Sequence, residues 1–176
     1  MHGLPDYFWR LLMKHDSLQT LTHYLVVEDA VTDTFLLQRQ IKKINDKSVI
    51  SFVDSETALQ AALKNFVPDI ILSDFDLVDW DAFRVLEIVR EHGHEIPLLV
   101  VTGNTLNQVR EKELCDQGAI AMLRKDPIIS LGDRISEYLI PYVEQNHRSI
   151  QNQRARRQEV NDLHVKRDQF REFGQA

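Results

Sequence analysis

The chain is predicted to fold as an α/β domain around a doubly wound, five-stranded parallel sheet, with a helix before it and a long helical extension after it. Three observations carry this. Short apolar runs alternate with amphipathic stretches from Tyr24 to about Val143, the rhythm of repeated strand-helix units. One run, Asp69 to Asp74, is apolar on both faces, as a central parallel strand must be. The residues able to do chemistry cluster at the carboxyl ends of the runs, the edge at which open α/β sheets bind ligands.

In chain order, residues 4–18 place Leu4, Tyr7, Phe8, Leu11, Leu12 and Leu18 at helical spacing behind Pro5 and Asp6, so residues 1–22 read as an N-terminal amphipathic helical segment. Tyr24 to Val27 is the first strand and ends on Glu28-Asp29. Leu37, Ile41 and Ile44 then share a helix face, and Val49 to Val53 reads as the second strand. Asp54 or Ser55 can cap the next helix, which buries Leu59, Leu63 and Phe66 and closes at Pro68 before the central strand. Ala82, Val85, Leu86 and Val89 form a stripe ending at Gly93, and Leu98 to Val101 is the fourth strand, ending at Thr102-Gly103. Leu106 to Gln117 is a weakly amphipathic helix stopped by Gly118, and Ala119 to Leu123 is a short fifth strand running into Lys125. From Leu131 the chain reads as helix almost to its end. Ile135, Leu139, Tyr142 and Val143 cover the sheet, which puts the domain at 23–143. The remainder, 144–176, is a charged helical tail whose apolar positions fit a heptad loosely, suggesting a coiled coil or signalling helix.

Composition limits what such a domain does. Acidic residues number 27 against 21 basic, too acidic a balance for a protein that coats nucleic acid, and the tail's Arg154, Arg156 and Arg157 are too few to argue phosphate-backbone binding. Cys115 is the only cysteine, which rules out an internal disulfide and fits a reducing cytoplasm. No apolar run reaches membrane-spanning length, so neither nucleic acid nor membrane is expected as a partner.

Glu28, Asp29, Asp74, Thr102 and Lys125 all fall at the carboxyl ends of predicted strands. Clustered carboxylates raise one another's pKa unless a cation compensates them. Mg2+ suits this set, since it takes one or two carboxylates with phosphate oxygens and keeps several waters. Asp29 and Asp74 are the expected direct ligands, with Glu28 acting through water. Asp74 is then best placed as nucleophile on an activated phosphoryl group, with Lys125 pairing to that group and the Thr102 hydroxyl donating to it.

Tyr24 to Val143 resembles the receiver domain of two-component response regulators. The matching motifs are Val26-Val27-Glu28-Asp29, Ile71-Leu72-Ser73-Asp74, Val101-Thr102-Gly103 and Leu123-Arg124-Lys125. The resemblance implies a flavodoxin-like sheet of order 2-1-3-4-5, phosphorylation of Asp74, and the backbone carbonyl of Asp76 as a further metal ligand. It also implies a histidine kinase or histidine phosphotransfer protein as donor, with Asp76 and Asn104 placed to modulate hydrolysis. The expected output is altered homodimerisation or docking through the C-terminal helix, without catalysis of any reaction beyond self-phosphorylation and dephosphorylation. Two positions depart from the family pattern: Met122 stands where receivers usually carry an aromatic switch residue, and the proline after the lysine is displaced to Pro127, behind Asp126. Two other readings fit the residues: a receiver fold kept as a docking module without phosphotransfer, and a haloacid-dehalogenase-type phosphatase opening at Asp74-Phe75-Asp76-Leu77-Val78.

Overall fold

A computed structural model describes residues 18–93, 95–104 and 108–173, with the side chains of the last six of these excepted. The expected N-terminal helix lies outside the described residues apart from Leu18. Five strands, β1 (His23–Val27), β2 (Val49–Val53), β3 (Ile70–Ser73), β4 (Leu98–Thr102) and β5 (Ala121–Arg124), form one parallel sheet. In space, 49–53 lies at one edge, followed by 23–27, 70–73, 98–102 and 121–124, which is the order 2-1-3-4-5. Each strand joins the next through a helix: α1 (Val31–Ile44), α2 (Glu56–Asn65), α3 (Ala82–Glu91) and α4 (Gln108–Asp116).

Alternation along the strands gives each face of the sheet its own core. Leu25, Val27, Ile71, Val100 and Met122 point to the side covered by α2, α3 and α4, where Leu59, Leu63, Val85, Leu86 and Leu114 pack. Tyr24, Val26, Leu72, Leu99, Val101 and Leu123 point to the other side, covered by α1 and by α5 (Leu131–Gln145) through Leu37, Ile41, Ile135 and Leu139. The β3 positions are all buried, as the doubly apolar pattern of that segment requires.

Local chemistry sets the boundaries. Ser55 caps α2 by accepting from the Ala58 N–H, and Asp81 caps α3 by accepting from those of Phe83 and Arg84. Gly93 and Gly118 take positive φ at the ends of α3 and α4, a conformation nearly free of penalty only for glycine. A hairpin that the strand periodicity does not reveal follows Asp74: Asp76–Leu77 pairs antiparallel with Trp80–Asp81 around a turn in which Asp79 has φ +70°. Two residues per arm are too few to produce a readable alternation.

The C-terminal helix is not continuous. It breaks at Asn146, whose side chain and backbone N–H both donate to the Tyr142 carbonyl, and resumes as α6 (His147–Phe173). This local bond competes with helix propagation, which explains the break in a segment whose composition reads as helix throughout. The first turns of α6 dock on the amino-terminal edge of the sheet. Ile150 is buried in the α1/α5 core, and Gln153 and Arg157, which a heptad would place on an intermolecular seam, are buried as well. Arg157 donates to the Val67 carbonyl through Nε and Nη2, at 3.0 and 2.8 Å, and to Asp69 Oδ1 at 2.5 Å. Asp69, itself buried, also accepts from the N–H groups of Thr22 and His23 at 2.8 and 2.9 Å. The Arg157 fork further holds Val67, a β-branched residue at φ +51°, where such residues are strained.

Removing one member of a buried charge pair strands the other, so Arg157→Ala is expected to lower unfolding free energy by about 3 kcal/mol, measured by urea titration near neutral pH. Arg157→Lys, which loses the fork geometry but keeps the charge, should cost less than half of that.

Candidate functional site

Backbone ladders extend one residue past the strands and set the site. The Glu28 N–H donates to the Val53 carbonyl at 3.0 Å, that of Asp74 to Val27 at 2.9 Å, and that of Lys125 to Thr102 at 2.7 Å. The carboxyl ends of β1, β3, β4 and β5 are thereby held side by side. Arg134 on α5 pins the β5–α5 loop by donating to the carbonyls of Arg124 at 2.8 Å and Pro127 at 3.0 Å. The Asp126–Pro127 peptide in that loop is cis.

Lys125 Nζ is the meeting point. It lies 2.6 Å from Glu28 Oε2, 2.6 Å from Asp33 Oδ2 and 3.4 Å from Asp74 Oδ1. The side chains are mostly out of solvent: Glu28 is 0% exposed, Lys125 11%, Asp74 14% and Asp33 30%. The second Glu28 oxygen accepts from the Ala30 N–H at 3.0 Å, so each oxygen of this carboxylate has a partner. Asp29 turns toward the hairpin, its Oδ2 accepting from the Val78 N–H at 2.7 Å. Thr102 is buried, and its Oγ1 accepts from the Asn104 N–H at 3.1 Å. The Asn104 side-chain amide in turn donates to the Asp76 carboxylate, joining the two residues expected to modulate hydrolysis.

Burial pushes the Asp74 carboxyl up to about 6, with the Glu28 charge adding to the effect and the Lys125 charge and the Phe75 N–H opposing it. For Lys125, burial favours the neutral amine, but the bonds to Asp33 and Glu28 and the Asp74 charge outweigh it and raise the pKa. A carboxyl that is still raised beside an ammonium is one that a second cation would stabilise. Among the described residues no three His, Cys, Asp or Glu side chains group tightly enough to hold an ion alone.

Met122 is buried in the α4-side core, opposite Val100 in the ladder, and its side chain does not reach the surface. Phe75, beside the Asp74 carboxyl, is buried under Arg110, whose guanidinium carbon is 5.2 Å from the ring centroid. Sequence reasoning missed Asp33, Arg134 and Phe75. An acidic residue four positions after Asp29, in the first turn of the next helix, is the one signal that could have pointed to Asp33.

The sequence model for the response regulator receiver domain matches residues 24–131. The chain belongs to the response regulator receiver family. Among curated relatives, the protein-glutamate methylesterase/protein-glutamine glutaminase 2 of Methanospirillum hungatei is 29% identical over 105 residues, 58% of this chain and 30% of that protein. The sensor histidine kinase RcsC of Escherichia coli is 29% identical over 125 residues, 71% of this chain and 12% of that protein. The receiver chain thus spans less than a third of either relative, and only their receiver portions are matched. Among solved structures, the receiver domain of the sensor histidine kinase PA1611 from Pseudomonas aeruginosa, with magnesium in its active-site cleft, superposes with TM-score 0.55 at 21% identity. That alignment covers 68% of this chain and 98% of that one. No helix among the described residues is long and apolar enough to cross a membrane.

The raised Asp74 carboxyl has a consequence for stability. Its protonated form contributes stability that is intact below the ordinary value of 3.8 and is lost as pH rises through about 6. Because the group is partly exposed, the loss is discounted to roughly 1–2 kcal/mol. Asp74→Asn is therefore expected to be more stable than wild type by that amount at about pH 8 without divalent ions. The difference should vanish near pH 4, and chemical denaturation at the two pH values measures it.

Proposed function

We propose that this receiver is a phosphoacceptor of a two-component phosphorelay, phosphorylated on Asp74 in the presence of Mg2+. The observation that carries this is the convergence of Glu28 and Asp74 on the Lys125 ammonium at the sheet's carboxyl edge, from three strand ends far apart in sequence. Asp29, Asp74 and the backbone carbonyl of Asp76 would hold the ion, with Glu28 contributing through water. When bound, Mg2+ neutralises the oxygens of the phosphoryl group in transit.

The chain's own residues supply the rest. An Asp74 carboxylate oxygen forms the new bond to phosphorus as the bond from phosphorus to the donor's imidazole nitrogen breaks, the electron pair leaving with the donor. Lys125 pairs with a phosphoryl oxygen as a point charge. The Thr102 hydroxyl, whose oxygen accepts from the Asn104 N–H, keeps its proton to donate to the same group. Asn104 and Asp76, bonded to each other beside the site, are placed to govern how water approaches the acyl phosphate.

Driving a two-state change from 1:99 to 99:1 requires about 5.5 kcal/mol, whereas one hydrogen bond to a charged group supplies roughly 1.5–3. Thr102 therefore cannot act alone, and the Lys125 pairing and changed association of the α4 and α5 faces make up the difference. With Met122 buried, the readout passes through repacking of a flexible thioether beneath α4 instead of an aromatic swing to the surface. Homodimerisation through those faces, a tail after residue 143 that carries the change onward, and a cytoplasmic setting complete the proposal. A histidine kinase or histidine phosphotransfer protein is the donor.

Incubation with acetyl phosphate and Mg2+ is expected to add one phosphoryl mass per chain in wild type and none in Asp74→Asn, read by intact-mass spectrometry. Chelation with EDTA should reduce labelling at least tenfold. Absence of labelling in the wild type would favour a docking module that uses the fold without the chemistry.

A further inference from the structure

Asp33 reaches the site from a helix and not from the end of a sheet strand. It sits in the first turn of α1, where the helix dipole favours an acid, and Ala30 at the N-cap provides no side-chain cap. Instead of folding back on its own helix, the Asp33 carboxylate reaches the Lys125 ammonium at 2.6 Å.

An ammonium has three N–H donors. Two are committed at 2.6 Å to Glu28 and Asp33, while Asp74 lies at 3.4 Å, longer than the ~2.7–2.9 Å of a charge-assisted bond. The ammonium therefore sits closer to Glu28 and Asp33 than to Asp74. To pair with a phosphoryl group on Asp74 it must loosen one of its two short contacts. Glu28 is fully buried with both oxygens bonded, so losing the lysine would leave a charged oxygen unpaired out of water. Asp33 is 30% exposed and borders a cavity of about 240 Å3 that also touches Lys125, Gly103 and Ile128. Its carboxylate can rehydrate there at little cost.

We propose that Asp33 is a positioning residue that holds Lys125 in a resting pose displaced from Asp74, and that phosphorylation exchanges the Asp33–Lys125 contact for one between Lys125 and a phosphoryl oxygen. Asp33 thereby keeps Asp74 open to a divalent ion in the resting state and weakens the grip on the phosphoryl group. This rests on the phosphoacceptor reading of Asp74.

The test is the affinity of the whole chain for beryllofluoride, a phosphoryl analogue, at saturating Mg2+. Asp33→Asn is expected to bind it roughly five- to tenfold more tightly than wild type, within the range of coupling between contacting residues. Because Asp33 would act through Lys125, the gain should disappear in a Lys125→Met background. If it persists undiminished there, removal of a repulsive charge is responsible and the positioning role is overturned. Should Lys125→Met bind too weakly to measure, the gain is followed into about 1 M salt, where the Debye length is ~3 Å. A gain that survives supports the contact, and one that disappears overturns it. Equal affinities of Asp33→Asn and wild type also overturn the role of Asp33 while leaving the phosphoacceptor reading intact. A wild type that neither binds beryllofluoride nor labels with acetyl phosphate overturns both.

Discussion

Carboxylates drawn out of water at a strand end are tolerable only when a cation reaches them, and the ammonium of Lys125 meets that need for Glu28, Asp33 and, more loosely, Asp74. The constraint organises the whole carboxyl edge. The backbone ladder must run one residue past β1, β3 and β5 to bring the groups within reach, and Arg134 must hold the loop from which the lysine extends. The compensation is incomplete by design of the geometry: the Asp74 carboxyl stays raised to about 6 even with the ammonium beside it. A carboxyl in that condition would be stabilised in its charged form by an additional cation.

The strand that carries Asp74 is balanced at both ends by the same physics. β3 is four fully buried apolar or small residues between Asp69 and Asp74, and each flanking carboxylate meets a cation from distant sequence, Arg157 at one end and Lys125 at the other. The amino-terminal clamp is the tighter of the two, since Asp69 is saturated with donors and Arg157 is forked between it and Val67. The beginning of α6 consequently packs on the amino-terminal edge of the sheet, beyond residue 131 where the family match ends. Any movement of the central strand is opposed by a buried ion pair to this helix.

The parts of this arrangement that were legible in the sequence are those with a period or a position. Strands with two apolar faces, helices with stripes such as Leu37, Ile41 and Ile44, and polar residues at strand ends all follow from where side chains must point. Asp74, Glu28 and Lys125 were identifiable because each closes such a strand. Asp33 and Arg157 were not, because a charged residue on a helix ordinarily faces water and nothing in the periodicity separates a solvated charge from one that reaches across the fold. The 76–77/80–81 hairpin is too short to alternate, and the break at Asn146 depends on one side-chain hydrogen bond. Departures such as Met122 were visible as identities, yet only the fold shows that this side chain is packed beneath α4.

A crystal structure of the chain with Mg2+ and beryllofluoride would test most directly whether these side chains form one phosphoryl site. The account predicts the ion on Asp29, Asp74 and the Asp76 carbonyl, the analogue on Asp74, and Lys125 Nζ drawn from Asp33 onto a fluorine. An ion and analogue bound elsewhere, or a lysine unmoved between Glu28 and Asp33 with the analogue in place on Asp74, would contradict it.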